Sequence, residues 1–348
     1  MPQTTAYPTE GPPSTAPGAR ATEGSGGDRR LPSVTAAKRL ALTLLKAVKQ
    51  PRYGGGRSLT ARRLLKSLRP EVQRPVFVIG APRSGTSFLG QSLAALPSLS
   101  YHAEPPATKA AARSVYRGDW PFERARRFYR RVYRWLLRAR LDGDRRLAEK
   151  TPRNAFIVPF LARAFPGAQF VHIIRDGRDA ALSHSEKPWL AAEASESGGR
   201  EPGGHRMGAH ARFWVEAGRE AEFEDEASDF RRCCWAWRRH VEAAREGLAA
   251  LAPARRHTLR YERLARRPRA EADRLAGFLG EHGRRAQHAL REAFEEGHAR
   301  SVGRWRTALT ARQRREAAHE MGALLRDLGY EEGAERPGGG PWTADRGG

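Results

Sequence analysis

Two kinds of apolar spacing alternate along the chain, and together they predict a layered α/β architecture. Val76-Phe77-Val78-Ile79 and Gln169 to Ile174 are short, nearly continuous apolar runs closed by glycine- or charge-bearing loops, the pattern of strands buried on both faces. Ser98 to Tyr101 and His257 to Tyr261 carry the same strand character more weakly. Between them the period lengthens to that of a helix. Helices are expected over Ser87 to Leu96, Phe122 to Arg140, Asn154 to Phe165 in spite of Pro159, from just past Gly177, and over Arg231 to Leu251, Glu271 to Leu279 and Ala311 to Leu328. Strands alternating with helices predict one domain over 73–330 with a central parallel sheet flanked by helices.

The flanks read differently. Residues 1–35, rich in Pro, Gly, Ser and Thr with almost nothing to bury, read as a disordered tail, and 331–348 as a Gly/Pro tail. Between 36 and 72 the pattern predicts a basic amphipathic helical extension. Its first helix, Ala36 to Lys49, sets Leu40, Leu44, Ala47 and Val48 opposite lysines and arginines; Ser58 to Leu68 repeats the style beyond a hinge at Gly54-Gly55-Gly56. Packing on the main domain is the expectation, and peripheral membrane contact through 36–69 is the alternative. Over 191–230, Gly198, Gly199, Gly203 and Gly204 precede an acidic run from Glu220 to Asp229, which reads as an insertion or lid.

Composition narrows the field. With 348 residues and 39% of them hydrophobic, a sizeable core is available. No stretch approaches the ~18 consecutive apolar residues of a membrane span. Met1 to Glu10 shows neither a charged nor an apolar leader region, so a cytoplasmic protein is expected. The adjacent Cys233 and Cys234 cannot form a disulfide framework and are expected to pack. Lys+Arg at 63 against Asp+Glu at 39 gives a net charge of +24, yet only seven of the 63 are lysine. Arginine is scattered rather than clustered with aromatics, so no nucleic-acid partner is expected, whereas a small polyanion would be attracted. Each surviving lysine is correspondingly informative.

The chemistry starts at Gly80-Ala81-Pro82-Arg83-Ser84-Gly85-Thr86-Ser87, between a buried strand and a helix. Backbone N–H groups converge at such a helix N-terminus and make an anion site. Gly80 and Gly85 have phosphate-loop spacing, and Ser87 stands where the loop hydroxyl belongs. Thr86 replaces the lysine of the nucleotide-triphosphate motif, and the cation has moved into the loop as Arg83. That set suits a single 5′-phosphate and its leaving oxygen. Arg175, at the C-terminal end of a strand, and Ser183, about two helical turns on, could hold a second phosphate. An ion pair of Arg175 with Asp179 is the alternative, and Asp176 could mimic a metal-binding aspartate.

The loop resembles the 5′-phosphosulfate-binding loop of the sulfotransferase family, whose donor is 3′-phosphoadenosine 5′-phosphosulfate (PAPS). Pro82 to Ser87 matches the family's Pro-(Arg/Lys)-Ser-Gly-Thr-(Ser/Thr) pattern at every position. Phe170 to Ser183 is similar to the second signature, a strand followed by Arg-Asp-x-Arg and a later serine. Thr258 to Glu262, the Lys150-Thr151-Pro152 turn typical of tyrosylprotein-type members, and Ser301 to Arg306 extend the likeness over most of Pro75 to Tyr330. The resemblance implies a P-loop-type α/β domain and PAPS held by Arg83, Ser84, Gly85, Thr86, Ser87, Arg175 and Ser183. It adds Lys187 in support, Tyr261 near the adenosine and Arg304 over the cofactor, in a position where many members have lysine.

Sulfuryl transfer needs positioning, charge stabilisation and a base for the acceptor hydroxyl. Lys150 is the candidate for the sulfuryl oxygens, because a compact ammonium approaches a small group closely. Glu104, after the second strand, is the candidate base, with His102 as the competing choice. No metal is called for: His102, His172, His184 and His205 lack zinc-ligand spacing. Trp189, Phe213 and Trp214 could shape the acceptor site, whose ligand (carbohydrate, small molecule, lipid or tyrosine) the residues do not specify. Two rival readings stay open, a metal-dependent nucleotide kinase or hydrolase with a degenerate phosphate loop and a non-catalytic nucleotide-binding protein.

Overall fold

The computed structural model describes residues 33–49, 60–187, 213–225, 228–297 and 301–330. Strand β1 (Val76–Ile79) is wholly buried, and its side chains alternate between two cores: Phe77 and Ile79 enter one, Val76 and Val78 the other. It is the middle strand of a five-stranded sheet with β2 (Leu99–Ala103), β3 (Arg146–Lys150), β4 (Gln169–Ile174) and β5 (Arg256–Arg260), in the order β2-β3-β1-β4-β5. Every pairing is parallel. Ala103 lies opposite Lys150 and Ile174 opposite Arg260, so the strand ends form one edge. The chain leaves β1 toward β2 on one side and later crosses to β4 on the other. That reversal opens a crevice at the C-terminal edge, where ligands bind in such sheets.

One face of the sheet is covered by α1 (Ser33–Lys49), α4 (Pro106–Tyr116), α5 (Phe122–Ala139), a 3₁₀ turn at Pro152–Ile157 and α6 (Val158–Ala164); α2 (Ala61–Leu68) lies on α5. The other face is covered by α3 (Thr86–Leu93), α10 (Tyr261–Arg266), α11 (Pro268–Leu279) and α12 (Arg284–Glu295). A third core gathers α7 (Gly177–Ser185), α8 (Glu220–Glu224), α9 (Asp229–Ala249), α13 (Trp305–Ala308) and α14 (Ala311–Asp327). Cys233 and Cys234 are buried there as free thiols.

The architecture agrees with the sequence pattern, with several local differences. β3 goes unannounced because Arg146, Glu149 and Lys150 interrupt it, yet it is an interior strand. Glu149 is fully buried and accepts hydrogen bonds from Tyr133, Thr151 (2.7 Å), Asn154 (3.3 Å) and Thr108 (3.4 Å). Burial pushes its pKa up and those four donors pull it back. The expected helix Asn154 to Phe165 is divided, and Pro159 sits in the first turn of α6, where a missing N–H costs nothing. Helices α4 and α12 were not expected from the pattern. The glycine hinge, residues 1–32, the C-terminal tail and Trp189 and His205 lie outside the described residues, whereas Ser33 to Thr35 of the expected N-terminal tail belong to α1. Of the 191–230 segment, Phe213, Trp214, Val215, Phe223 and Phe230 are buried, and Glu216 and Glu222 pair with Arg239 and Arg238 of α9.

Candidate active site

Each of the five strands delivers a candidate residue to the same edge of the sheet: β1 the Gly80–Ser87 loop, β2 Glu104, β3 Lys150, β4 Arg175 and β5 Tyr261. The loop has the backbone that its glycines foretell. Gly85 has φ +90°, and a Cβ there would come within 2.6 Å of the Tyr261 ring; Gly80 has φ +151°, and a Cβ would lie 2.5 Å from the Ile173 carbonyl oxygen. Only glycine accepts both the conformation and the close approach. Arg83 adopts the left-handed region at φ +67° and projects outward. Thr86 is buried and Ser87 exposed in the first turn of α3. The Ser84 hydroxyl is buried and has no hydrogen-bond partner among the described residues.

Two guanidinium groups face this loop. Arg83 Nε donates to Ser183 Oγ at 3.2 Å, and Arg175 Nη1 donates to the Arg83 carbonyl at 3.2 Å. Burial and then the positive charge of Arg175 lower the pKa of Arg83. Arg175 also donates to the Ser301 carbonyl, lies 4.9 Å from the Tyr261 ring and stands only loosely, at 3.7 Å, from Asp179. Asp179 instead accepts from the Gly303 and Trp305 N–H groups at 2.6 and 2.9 Å and so ties the 301–306 loop to α7. Tyr261 closes the circle, its hydroxyl 2.9 Å from Ser301 Oγ. Asp176 is the N-cap of α7 and accepts the Arg178 side chain at 3.0 and 2.8 Å, which occupies both carboxylate oxygens. Arg304 is exposed and forks onto Glu186 at 2.7 and 3.2 Å, one residue before Lys187 at the end of α7.

The second centre lies at the ends of β2 and β3. Glu104 has φ +44°, an unfavourable conformation for a side-chain-bearing residue. It is held there by its N–H on the Lys150 carbonyl at 2.8 Å. Its carboxylate accepts from Lys150 and, at 2.9 Å, from Lys109 of α4. Burial would raise its pKa, but the two ammoniums outweigh it and hold Glu104 down at about 2. Lys46 of α1 donates to the Glu104 carbonyl at 3.0 Å, so three of the chain's seven lysines meet at one glutamate. Burial lowers Lys46, with Glu104 opposing and Lys109 and Lys150 adding to the effect. Arg153, buried beside them, is pushed down by burial to about 9. Trp214 stacks on Phe156 at 5.1 Å and lies under Arg113 and Arg153 at 5.2 and 5.7 Å, which brings it close to this centre.

His102 does not join it. It faces away from Glu104, fully buried, with Nε2 3.1 Å from Ser100 Oγ, and burial next to Arg140 lowers its pKa to about 3. Lys109, Lys46, Asp179 and Ser301 went unnoticed as site residues; for the two lysines, rarity was the available signal. Among the described residues no cluster of three or more His, Cys, Asp or Glu side chains has metal-binding geometry.

A parallel sheet with a glycine-bearing loop after its central strand, one arginine in that loop and another beside it, and a carboxylate–lysine pair on the same edge is the layout of an α/β domain with its candidate site at the C-terminal edge of the sheet. Residues 75–282 match the model of the Sulfotransferase family, and the chain belongs to that family. Among solved structures, the sulfotransferase domain from the curacin biosynthetic pathway is 15% identical with a TM-score of 0.45, the match covering 75% of this chain and 99% of that one. Sulfotransferase STF9 from Mycobacterium avium is 14% identical with a TM-score of 0.44, covering 86% and 92%. A mouse sulfotransferase complexed with PAP is 13% identical with a TM-score of 0.41, covering 78% and 94%. An uncharacterized protein of Aquifex aeolicus (strain VF5) is 28% identical over 134 residues, 34% of this chain; the chain spans only 18% of that relative's length.

Proposed function

We propose that the chain transfers a sulfuryl group from PAPS to a hydroxyl acceptor. The observation that carries this reading is the pair of like charges at the loop. Arg175 donates to the Arg83 carbonyl and its charge lowers the Arg83 pKa, the Arg83 Nε holds the Ser183 hydroxyl, and the buried Ser84 hydroxyl and Arg175 Nε have no hydrogen-bond partner among the described residues. Such crowding is relieved by an anion with more than one phosphate group. The loop N–H groups with Ser84, Thr86 and Ser87 would hold the 5′ side, Arg175 and Ser183 the 3′-phosphate. Lys187 and Arg304 stand at the rim. When bound, PAPS supplies the sulfuryl group and a phosphate leaving oxygen.

Glu104 is the base in this reading. It is ionised, partly open to solvent and next to Lys150, whereas His102 is sealed behind the sheet. Lys150, buried at the end of β3, suppresses the proton affinity of Glu104. A Lys150 drawn toward developing negative charge would release Glu104 to take the acceptor proton, so the lysine couples the two tasks.

Calorimetry with 3′,5′-adenosine bisphosphate, with and without magnesium and against ATP, tests the donor. Binding that needs no metal and is lost in Arg175→Ala is expected. Binding of ATP alone, and only with magnesium, would overturn the reading in favour of a kinase or hydrolase. PAPS-driven product formation should then fail in Glu104→Gln and persist in His102→Gln.

A further inference from the structure

The stripes that the two N-terminal helices bury are largely polar. α1 buries Arg39, Thr43 and Ala47, one stripe at four-residue spacing, and α2 buries Arg63 and Ser67. Hydrogen bonds fasten these polar stripes to the domain. Thr43 Oγ1 accepts the Ala107 N–H at 3.0 Å, Arg63 Nε donates to the Leu141 carbonyl at 2.7 Å, and Ser67 Oγ accepts the Gly143 N–H at 3.1 Å. What remains outside is apolar: Leu42, Leu45 and Val48 on α1 and Leu64, Leu65 and Leu68 on α2 are 38 to 67% exposed. Apart from Tyr116, these are all the large exposed hydrophobic side chains among the described residues.

Charge says what covers them. Between Arg29 and Pro70 the sequence has twelve arginines and lysines and no acidic residue, half of the chain's net charge of +24. The exposed Lys38, Lys49, Arg62 and Lys66 alternate with the leucines on the two helices. A second copy of the chain meeting this surface through the same patch would bring the exposed Lys38, Lys46, Lys49, Arg62, Lys66 and Arg69 against the same six cations, so self-association is opposed. Leucines among long basic side chains suit the boundary of an anionic bilayer, where apolar side chains enter the acyl region and ammonium and guanidinium groups reach the phosphates. We infer that α1 and α2 seat the protein on an anionic phospholipid surface. Lys46 ties α1 to Glu104, which sets α1 beside the ends of β2 and β3. The inference stands independently of the chemistry assigned to the crevice.

The test is co-sedimentation of the full chain with vesicles of phosphatidylcholine alone and of phosphatidylcholine mixed with phosphatidylglycerol. The protein should sediment with the anionic vesicles only, and high salt should release it. Replacing Leu45, Val48, Leu65 and Leu68 together by serine should weaken partitioning by about tenfold or more, with affinity for 3′,5′-adenosine bisphosphate unchanged as the check on folding. Equal or no binding to the two vesicle types by the unmodified protein would overturn the inference, as would a dimer in sedimentation equilibrium that the serine variant dissociates. Lost nucleotide binding with retained vesicle binding would sink the donor assignment and leave this one intact.

Discussion

Replacing Lys109 by methionine keeps the apolar stem and removes only the ammonium that lies 2.9 Å from a Glu104 oxygen. In the native protein, burial pushes Glu104 up but Lys150 and Lys109 prevail and hold it at about 2 rather than 4.5, a preference for the anion of about 3 kcal/mol. Lys150 makes the closer contact. For Lys109, Coulomb's law at 2.9 Å with the full screening of water gives about 1.4 kcal/mol, the lower limit for two half-buried side chains. Glu104 in Lys109→Met should therefore titrate about one pH unit higher, at about 3. Carbon-13 titration of the side-chain carboxyls, with Glu104→Gln to assign the signal, measures this directly. Linkage supplies a second readout. A carboxyl lowered by folding adds stability above its unfolded value and loses it as the pH falls through its folded value. The native protein should exceed Lys109→Met by about 1 kcal/mol above pH 4.5; the unfolded value is common to both proteins, so the gap should close only as the pH falls through the two folded values, about 3 and about 2. Equal titration of Glu104 in both proteins, or a gap undiminished in acid, would refute the electrostatic account.

Gly85→Ala should lower the melting temperature and weaken 3′,5′-adenosine bisphosphate binding, because the new methyl meets the Tyr261 ring and the positive φ costs about 1–2 kcal/mol by itself; calorimetry with unchanged values for both would contradict the packing. Asp179→Ala removes the acceptor for the Gly303 and Trp305 N–H groups, so proteolysis at Arg304 or Arg306 should quicken while the sheet stays folded. Glu149→Leu leaves the Tyr133 and Thr151 hydroxyls unpaired in the core and should cost about 3 kcal/mol or more in chemical denaturation. A variant as stable as the native chain would show that these hydroxyls find other partners.

The parts of this molecule that the chain announces are those whose cause is local. A doubly buried strand needs an apolar run, so Val76–Ile79 and Gln169–Ile174 were legible. A loop that turns tightly from a buried strand into a helix needs glycines at its positive-φ positions, so Gly80 and Gly85 were legible. Arg175 was legible for the same reason, as the first charge after a buried strand. Where side-chain chemistry contradicts local preference, the pattern misleads: β3 hides because Glu149 and Lys150 are interior, and they are tolerated through the neighbouring Thr151 and Asn154 together with Tyr133 and Glu104, brought from elsewhere.

Two features belong to the tertiary structure alone. The meeting of Lys46, Lys109 and Lys150 at Glu104 draws on residues up to 104 positions apart along the chain, and no periodicity encodes a juxtaposition of four separate elements. The orientation of α1 and α2 is the other. Helical spacing alone favours leucines inward, but Thr43, Arg63 and Ser67 find backbone partners at Ala107, Leu141 and Gly143 that exist only once the domain has folded. Those directional bonds hold polar stripes inward and leave Leu42, Leu45 and Val48 of α1 and Leu64, Leu65 and Leu68 of α2 exposed.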